Sequence, residues 1–463
     1  MKSDSQPWAP YVPTPEEPWN LDKVAHLHRR AGFAANWEEL HRDLKAGPAE
    51  SIDRLLHPPP APQKFRRVAD VLKNIIESSG DDFMTTEDLS PLQAWWLFRM
   101  TFGSDPLGEK LTLFWHNHFA TAISGVNNLK LMLDQNELFR EHARGKFGDL
   151  LIAIEANPAM LKWLNGGANQ KEHPNENFAR ELLELFTLGE GHYSETDIRE
   201  AARSLTGWKP GRDTQLNETN EFIYDETLVD TGPKTFLGQT GSWRCDDIFR
   251  IILQQPEAAK YLCRRLYRWF VSESTIPDDT LIEPLAMQMR ASNYSIEHVV
   301  GIILRSQHFF SSAACWQRVK SPVEFCVGTI RQLEPKRIPN LLPLVALNCD
   351  QQGQILFNPP SVKGWDGGTA WLNSNCTLTR LNWIAELLNG KPLSGLPAYD
   401  PTHWLKEHSI EPSQAVNSFS KLLLQNNLSP ESEALANRLA AKDQQQLRAA
   451  LLVLLQTPEF QLA

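Results

Sequence analysis

No stretch of this chain approaches the ~18 consecutive apolar residues that a bilayer-spanning helix needs, so a membrane span is not expected. The first twenty residues, MKSDSQPWAPYVPTPEEPWN, have no apolar segment after a basic start. They do not read as a Sec or twin-arginine signal, and a cytoplasmic location is the expectation. Cys-x-x-Cys pairs are missing as well: the cysteines at 245, 263, 315, 326, 349 and 376 are scattered. Reduced thiols in the core fit better than a zinc site or a disulfide framework. Excess basic charge is also lacking. The net charge is −10, which removes the footprint a nucleic-acid binder needs to neutralise phosphates. There is no HExxH, Walker loop, GxSxG elbow or dinucleotide GxGxxG, and each absence removes a well-marked enzyme class.

What is present is a long, ordinary globular composition of 463 residues, 41% apolar and 22% charged. That length exceeds the ~250 to 300 residues at which a single core stops growing, so two lobes are expected. Apolar residues recur at three and four over 21–31, 37–56, 64–79, 90–103, 105–123 and 128–143, bounded by Asn20, Ser90-Pro91 and Asp105-Pro106. This is helical periodicity with N-terminal start signals, and the fold class it implies is all-α. Only 221–237 looks irregular or short-stranded. The expected organisation is an extended arm over 1–20 carrying Trp8, Tyr11 and Trp19, a helical lobe over 21–208, an irregular connection over 209–241, and a second helical lobe over 242–463. Within the last, the segment from Gly353 to Gly368 is too rich in glycine and proline to be a helix. Trp365 and Trp371 need burial, so an ordered loop over 353–376 is expected there, and ordered loops of that length are often functional.

Two polar segments carry the candidate chemistry. The first runs from Pro174 to Gly189. Phe178, Leu182, Leu185 and Phe186 define the buried side of a helix, and Asn177, Arg180, Glu181 and Glu184 fall on the adjoining face. The i,i+3 carboxylates Glu181 and Glu184 are spaced to share a proton or hold a cation, and Arg180 to clamp an anion. A structural alternative is an Arg180–Glu184 pair with Asn175 as cap. The second segment is Trp115-His116-Asn117-His118-Phe119. Two residues apart, the imidazoles point about 200° away from each other on a straight helix, so a single ion does not take both without a break. His26, His173 and His192 are further imidazoles near these segments in sequence. Lys260, Arg264 and Arg268, with Arg265 beside them, read as a solvated stripe on a helix that buries Leu262, Leu266, Trp269 and Phe270.

These segments also carry a resemblance. His26-Leu27-His28-Arg29-Arg30, Trp115-His116-Asn117-His118-Phe119, Asn175-Glu176-Asn177-Phe178-Ala179-Arg180-Glu181-Leu182, Leu205-Thr206-Gly207-Trp208, Pro359-Pro360-Ser361-Val362-Lys363-Gly364-Trp365 and Thr457-Pro458-Glu459-Phe460 together resemble the bacterial family catalogued as domain of unknown function 1800, over residues 20 to 463. The resemblance implies no settled activity. It implies a partner of a second family, domain of unknown function 1501, which is similar to sulfatases. Two functional expectations follow. One is an enzyme whose cleft lies between the Glu181 and His118 helices and hydrolyses a polar or anionic substrate. There Glu181 and Glu184 act as ligands or acid and base, His118 as ligand or proton shuttle, Arg180 as clamp and Asn177 as a further site residue, with a divalent metal on His116, His118, Glu181 and Glu184. The other is a non-catalytic helical binding or scaffold protein that takes a partner or glycan through its tryptophan-bearing loops.

Overall fold

Capping side chains set the helix boundaries. Asn20 accepts from the Lys23 amide at the start of Leu21–Ala31, Asp105 from that of Gly108 at Pro106–His118, and Asn128 from that of Leu131 at Leu129–Glu141. Each satisfies an amide that the first turn leaves without a partner. In the computed structural model, which describes residues 7–78, 88–215, 218–335, 341–390, 396–425, 427–440 and 443–463, the protein is mostly all-α. It has twenty-three α-helices and two antiparallel two-stranded sheets among the described residues. The first six residues of the arm and residue 79 lie outside them.

The periodicity is followed closely, with two differences. The segment 37–56 is two helices, Trp37–Ala46 and Pro48–Leu56, because Gly47 adopts φ +83° and Pro48 cannot donate across the junction. The segment 105–123 stops as a helix at His118, and a single turn, Ile123–Val126, follows. The irregular connection contains strands Glu218–Tyr224 and Lys234–Phe236, as the sequence suggested. Two more strands were not expected: Gln239–Gly241, paired with Lys234–Phe236, and Trp208–Arg212, paired with Glu218–Tyr224, which its Pro210 and Gly211 had disguised.

Two hydrophobic cores lie under these helices. One gathers residues from Tyr11 to Ala314; the other combines helices before Leu133 with those after Val323. Both draw on residues 21–133, so the N-terminal helices tie the two cores together. Before the first helix, Trp8 Nε1 donates to the Leu281 carbonyl at 2.7 Å and Trp19 Nε1 to that of Asp43 at 3.0 Å. All six cysteines are free, four of them buried. No helix of the described residues is long and apolar enough to cross a membrane.

Several charges are buried. Glu155 accepts from Trp208 Nε1 at 2.9 Å, and burial outweighs that bond and one from Cys245, pushing the carboxyl up from 4.5 to about 7. Because the folded form holds its proton more tightly than the unfolded form, stability is lost as pH rises from 4.5 through 7. Glu155→Gln, which keeps an acceptor for Trp208, should therefore stabilise the protein above pH 7 by about 1–3 kcal/mol and change little below pH 4.5. Urea denaturation at both pH values checks this.

Candidate functional site

Four segments flagged by the sequence meet around one cavity of about 210 Å³. The end of the helix Pro106–His118 contributes Phe114, Asn117 and His118, and the Pro174–Gly189 segment contributes Leu185. The helix Pro256–Phe270 adds Tyr261, Arg265, Arg268 and Trp269. The loop 353–376 closes the space with Lys363, Trp365, Asp366 and Trp371.

The Pro174–Gly189 segment is not one regular helix. Asn175 Oδ1 accepts from the Asn177 amide at 3.0 Å, Asn177–Glu181 is α-helical, and Leu182–Thr187 widens into a π-helix in which the Leu188 amide reaches back to the Leu183 carbonyl. Such widened turns are rare and often functional. Here the segment's end leaves the Leu185 and Phe186 carbonyls to side chains: Tyr261 Oη donates to the first at 2.5 Å, and His118 Nε2 bonds the second at 3.0 Å.

That last contact orients a base. A carbonyl only accepts, so His118 Nε2 carries the proton and Nδ1 keeps its lone pair. Nδ1 is buried with no partner, in a ring only 2% exposed that lines the cavity. Burial, reinforced by the positive charge of Arg265, holds the imidazole well below its usual 6.5 despite the opposing Phe186 carbonyl. His118 is neutral at pH 7.

His116 and Asn117 do something else. The Phe357 amide donates to His116 Nε2 at 3.1 Å, and the Trp365 amide to Asn117 Oδ1 at 2.7 Å. Burial takes the His116 imidazole down to about 3, so it stays an acceptor. These two residues fasten the 353–376 loop, in which Trp365 and Trp371 are each 7% exposed, ordered as the sequence required. Gly364 permits the approach: it sits at φ +77°, and a Cβ there would lie 2.2 Å from Asn117 Oδ1. Gly364→Ala should cost ~1–3 kcal/mol and loosen the loop, seen as a lower melting temperature and a red-shifted tryptophan emission.

The remaining expected residues are not brought together. Arg180 lies outside the cavity wall, its guanidinium held by Glu195 at 3.0 and 2.8 Å and by Glu176 at 3.1 Å. It neither clamps an anion there nor pairs with Glu184. Asn177 is exposed and does not line the cavity. Glu181 and Glu184 stand close enough that burial and then the Glu184 charge raise the Glu181 carboxyl against Arg180 and Lys363. Glu184 bonds Tyr193. Neither carboxylate lines the cavity. His116, turned to the loop, and His118, turned to the π-helix, diverge as their spacing implied. Among the described residues no group of three or more His, Cys, Asp or Glu is placed to hold a metal ion, so His116, His118, Glu181 and Glu184 do not form one centre. His26 bonds the Phe309 carbonyl at 2.8 Å, and His173 and His192 are exposed, away from the cavity.

The basic stripe divides in two. Lys260 and Arg264 pair with Asp279, Glu257 and Glu283 at the surface, as a solvated stripe would. Arg265 and Arg268 face the cavity instead. Arg268 donates to the Asp366 carbonyl, whereas Arg265 makes no ion pair or hydrogen bond among the described residues, and burial lowers its pKa from 12.5. No local signal marks this division: neither Arg264 nor Arg265 has a carboxylate three or four residues away, and Arg264 finds Glu257 and Asp279 at longer range.

The model of a family described as protein of unknown function (DUF1800) matches residues 26–462. The chain belongs to this family. The match takes in every wall of the cavity, from Phe114 to Trp371. No curated protein and no solved structure matches the chain.

Proposed function

We propose that the DUF1800 chain is an enzyme that hydrolyses an anionic substrate, with His118 as general base. The observation that carries this reading is that His118, whose buried Nδ1 has no partner, lines the same cavity as Arg265, whose guanidinium has no counterion among the described residues. Nδ1 takes a proton from a water as it attacks and returns it to the leaving group. Before substrate binds, Arg265 opposes the imidazolium that must form. A bound anion offsets that charge and makes His118 more basic when substrate is in place. Glu181 and Glu184 stand outside the cavity and take no part in this step.

A panel of chromogenic phosphate, sulfate and carboxylic esters tests the reading on the full chain. Turnover of at least one, saturable and dependent on His118, is expected. No turnover of any, with the fold intact, contradicts hydrolysis and favours a binding protein that uses the same cavity, with or without a sulfatase-like partner.

A further inference from the structure

The cavity wall carries far more donors than free acceptors. Trp269 Nε1 and Trp365 Nε1 are both buried without partners. Arg265 is unpaired among the described residues, Arg268 spends one nitrogen on a backbone carbonyl, and Lys363 adds an exposed ammonium. Among the acceptors, the Asp366 carboxylate lines the cavity with no ion pair or hydrogen bond among the described residues, and the others are taken. Glu273 holds Arg318 at 3.0 Å and the Gly368 amide at 3.1 Å, Gln354 Oε1 holds the Val323 amide at 2.9 Å, and Asn117 Oδ1 holds that of Trp365. Arg265, half-buried and without a counterion among the described residues, gains most from a ligand that supplies oxygens. The concentration of cations is local, on a chain whose net charge is −10.

We propose that this cavity is a subsite for a tetrahedral oxyanion, a phosphate or sulfate group carried by the ligand, held by Arg265, Arg268 and Lys363. A carboxylate offers two oxygens, which one guanidinium fork satisfies. Two guanidinium groups and an ammonium, arriving from a helix and from a separate loop, suit a group with three terminal oxygens. The subsite rests on the reading of this cavity as a reaction centre only for its use in turnover; its affinity for an oxyanion stands or falls alone.

Tryptophan fluorescence of the full chain, titrated at constant ionic strength with inorganic phosphate, sulfate, phenyl phosphate and acetate, tests it. Phosphate or sulfate should saturate at least about tenfold more tightly than acetate. Arg265→Gln and Arg268→Gln should each weaken that binding by about tenfold or more, with the melting temperature retained, while His118→Gln changes it by about twofold at most. Arg268 is exposed, so its variant tests the subsite even where Arg265→Gln unfolds. Tighter binding of phenyl phosphate than of inorganic phosphate identifies an ester as the source, and the reverse identifies the free ion. Acetate equal to the oxyanions, no saturation by either oxyanion, or wild-type binding by Arg268→Gln overturns the subsite. Arginine-dependent oxyanion binding with no His118-dependent turnover leaves the subsite standing and removes the hydrolase reading.

Discussion

His118→Gln should abolish most turnover, by ~10²- to 10⁴-fold, while leaving the fold and ligand affinity nearly intact. Glutamine retains an N–H to donate to the Phe186 carbonyl, the contact that positions the ring at 3.0 Å, but it has no basic lone pair where Nδ1 stood. Phe114, Trp115, Phe119 and Phe147 surround the imidazole ring, and the planar glutamine amide takes its place among them. In the wild type the acid limb of the pH–rate profile should lie well below pH 6.5, because burial and Arg265 both disfavour the imidazolium. An ordinary solvated histidine would lose half its base at 6.5. Arg265→Gln, where it retains turnover, should move that limb upward, since one of the two opposing influences is gone. Steady-state rates of His118→Gln within about threefold of wild type would remove His118 from the chemistry.

Glu324→Gln should be the most destabilising single change, costing about 3–5 kcal/mol. Glu324 receives Lys110, Arg318 at 3.2 Å and the Ser321 amide at 2.7 Å, and both cations are almost wholly buried. Glutamine preserves the acceptor for Ser321, so the helix start survives, but Lys110 is left as a buried charge without its counterion. Burial already draws Lys110 from 10.5 down to about 8 even with Glu324 present. A lysine whose folded pKa is depressed favours the unfolded chain until pH rises past 10.5, so the cost of Glu324→Gln should shrink as pH rises. The double change with Lys110→Met should recover most of the loss, because it removes the stranded charge; Arg318 keeps Glu273 at 3.0 Å. Additive destabilisation in denaturant melts of the four proteins would show that the pair is not coupled.

Much of the fold was legible because its boundaries are written locally. Asn20, Asp105 and Asn128 cap helices whose apolar spacing is unambiguous, and Gly47-Pro48 marks a break that periodicity alone ran through. The strand Trp208–Arg212 was hidden because five residues containing Pro210 and Gly211 carry no period. The site was legible in its parts and not in its assembly. The His-Asn-His spacing said that the imidazoles diverge, and they do, but nothing local says that His116 would fasten a loop 240 residues away. The face shared by Arg180, Glu181 and Glu184 assumed a regular helix, and the widening after Glu181 depends on tertiary partners, Tyr261 and His118, that take up the Leu185 and Phe186 carbonyls. Arg265 looked like part of a solvated stripe because Lys260 and Arg264 are one. Arg264 also has no carboxylate at three or four residues and finds Glu257 and Asp279 farther along the chain, so nothing local set Arg265 apart.

Nitrogen NMR of the full chain, with the His118 ring resonances assigned through His118→Gln, tests the central claim directly. A neutral ring protonated at Nε2 at pH 7, with Nδ1 shifting when inorganic phosphate is added, is the predicted result. A ring protonated at Nδ1, or an imidazolium at pH 7 before any anion is added, would contradict it.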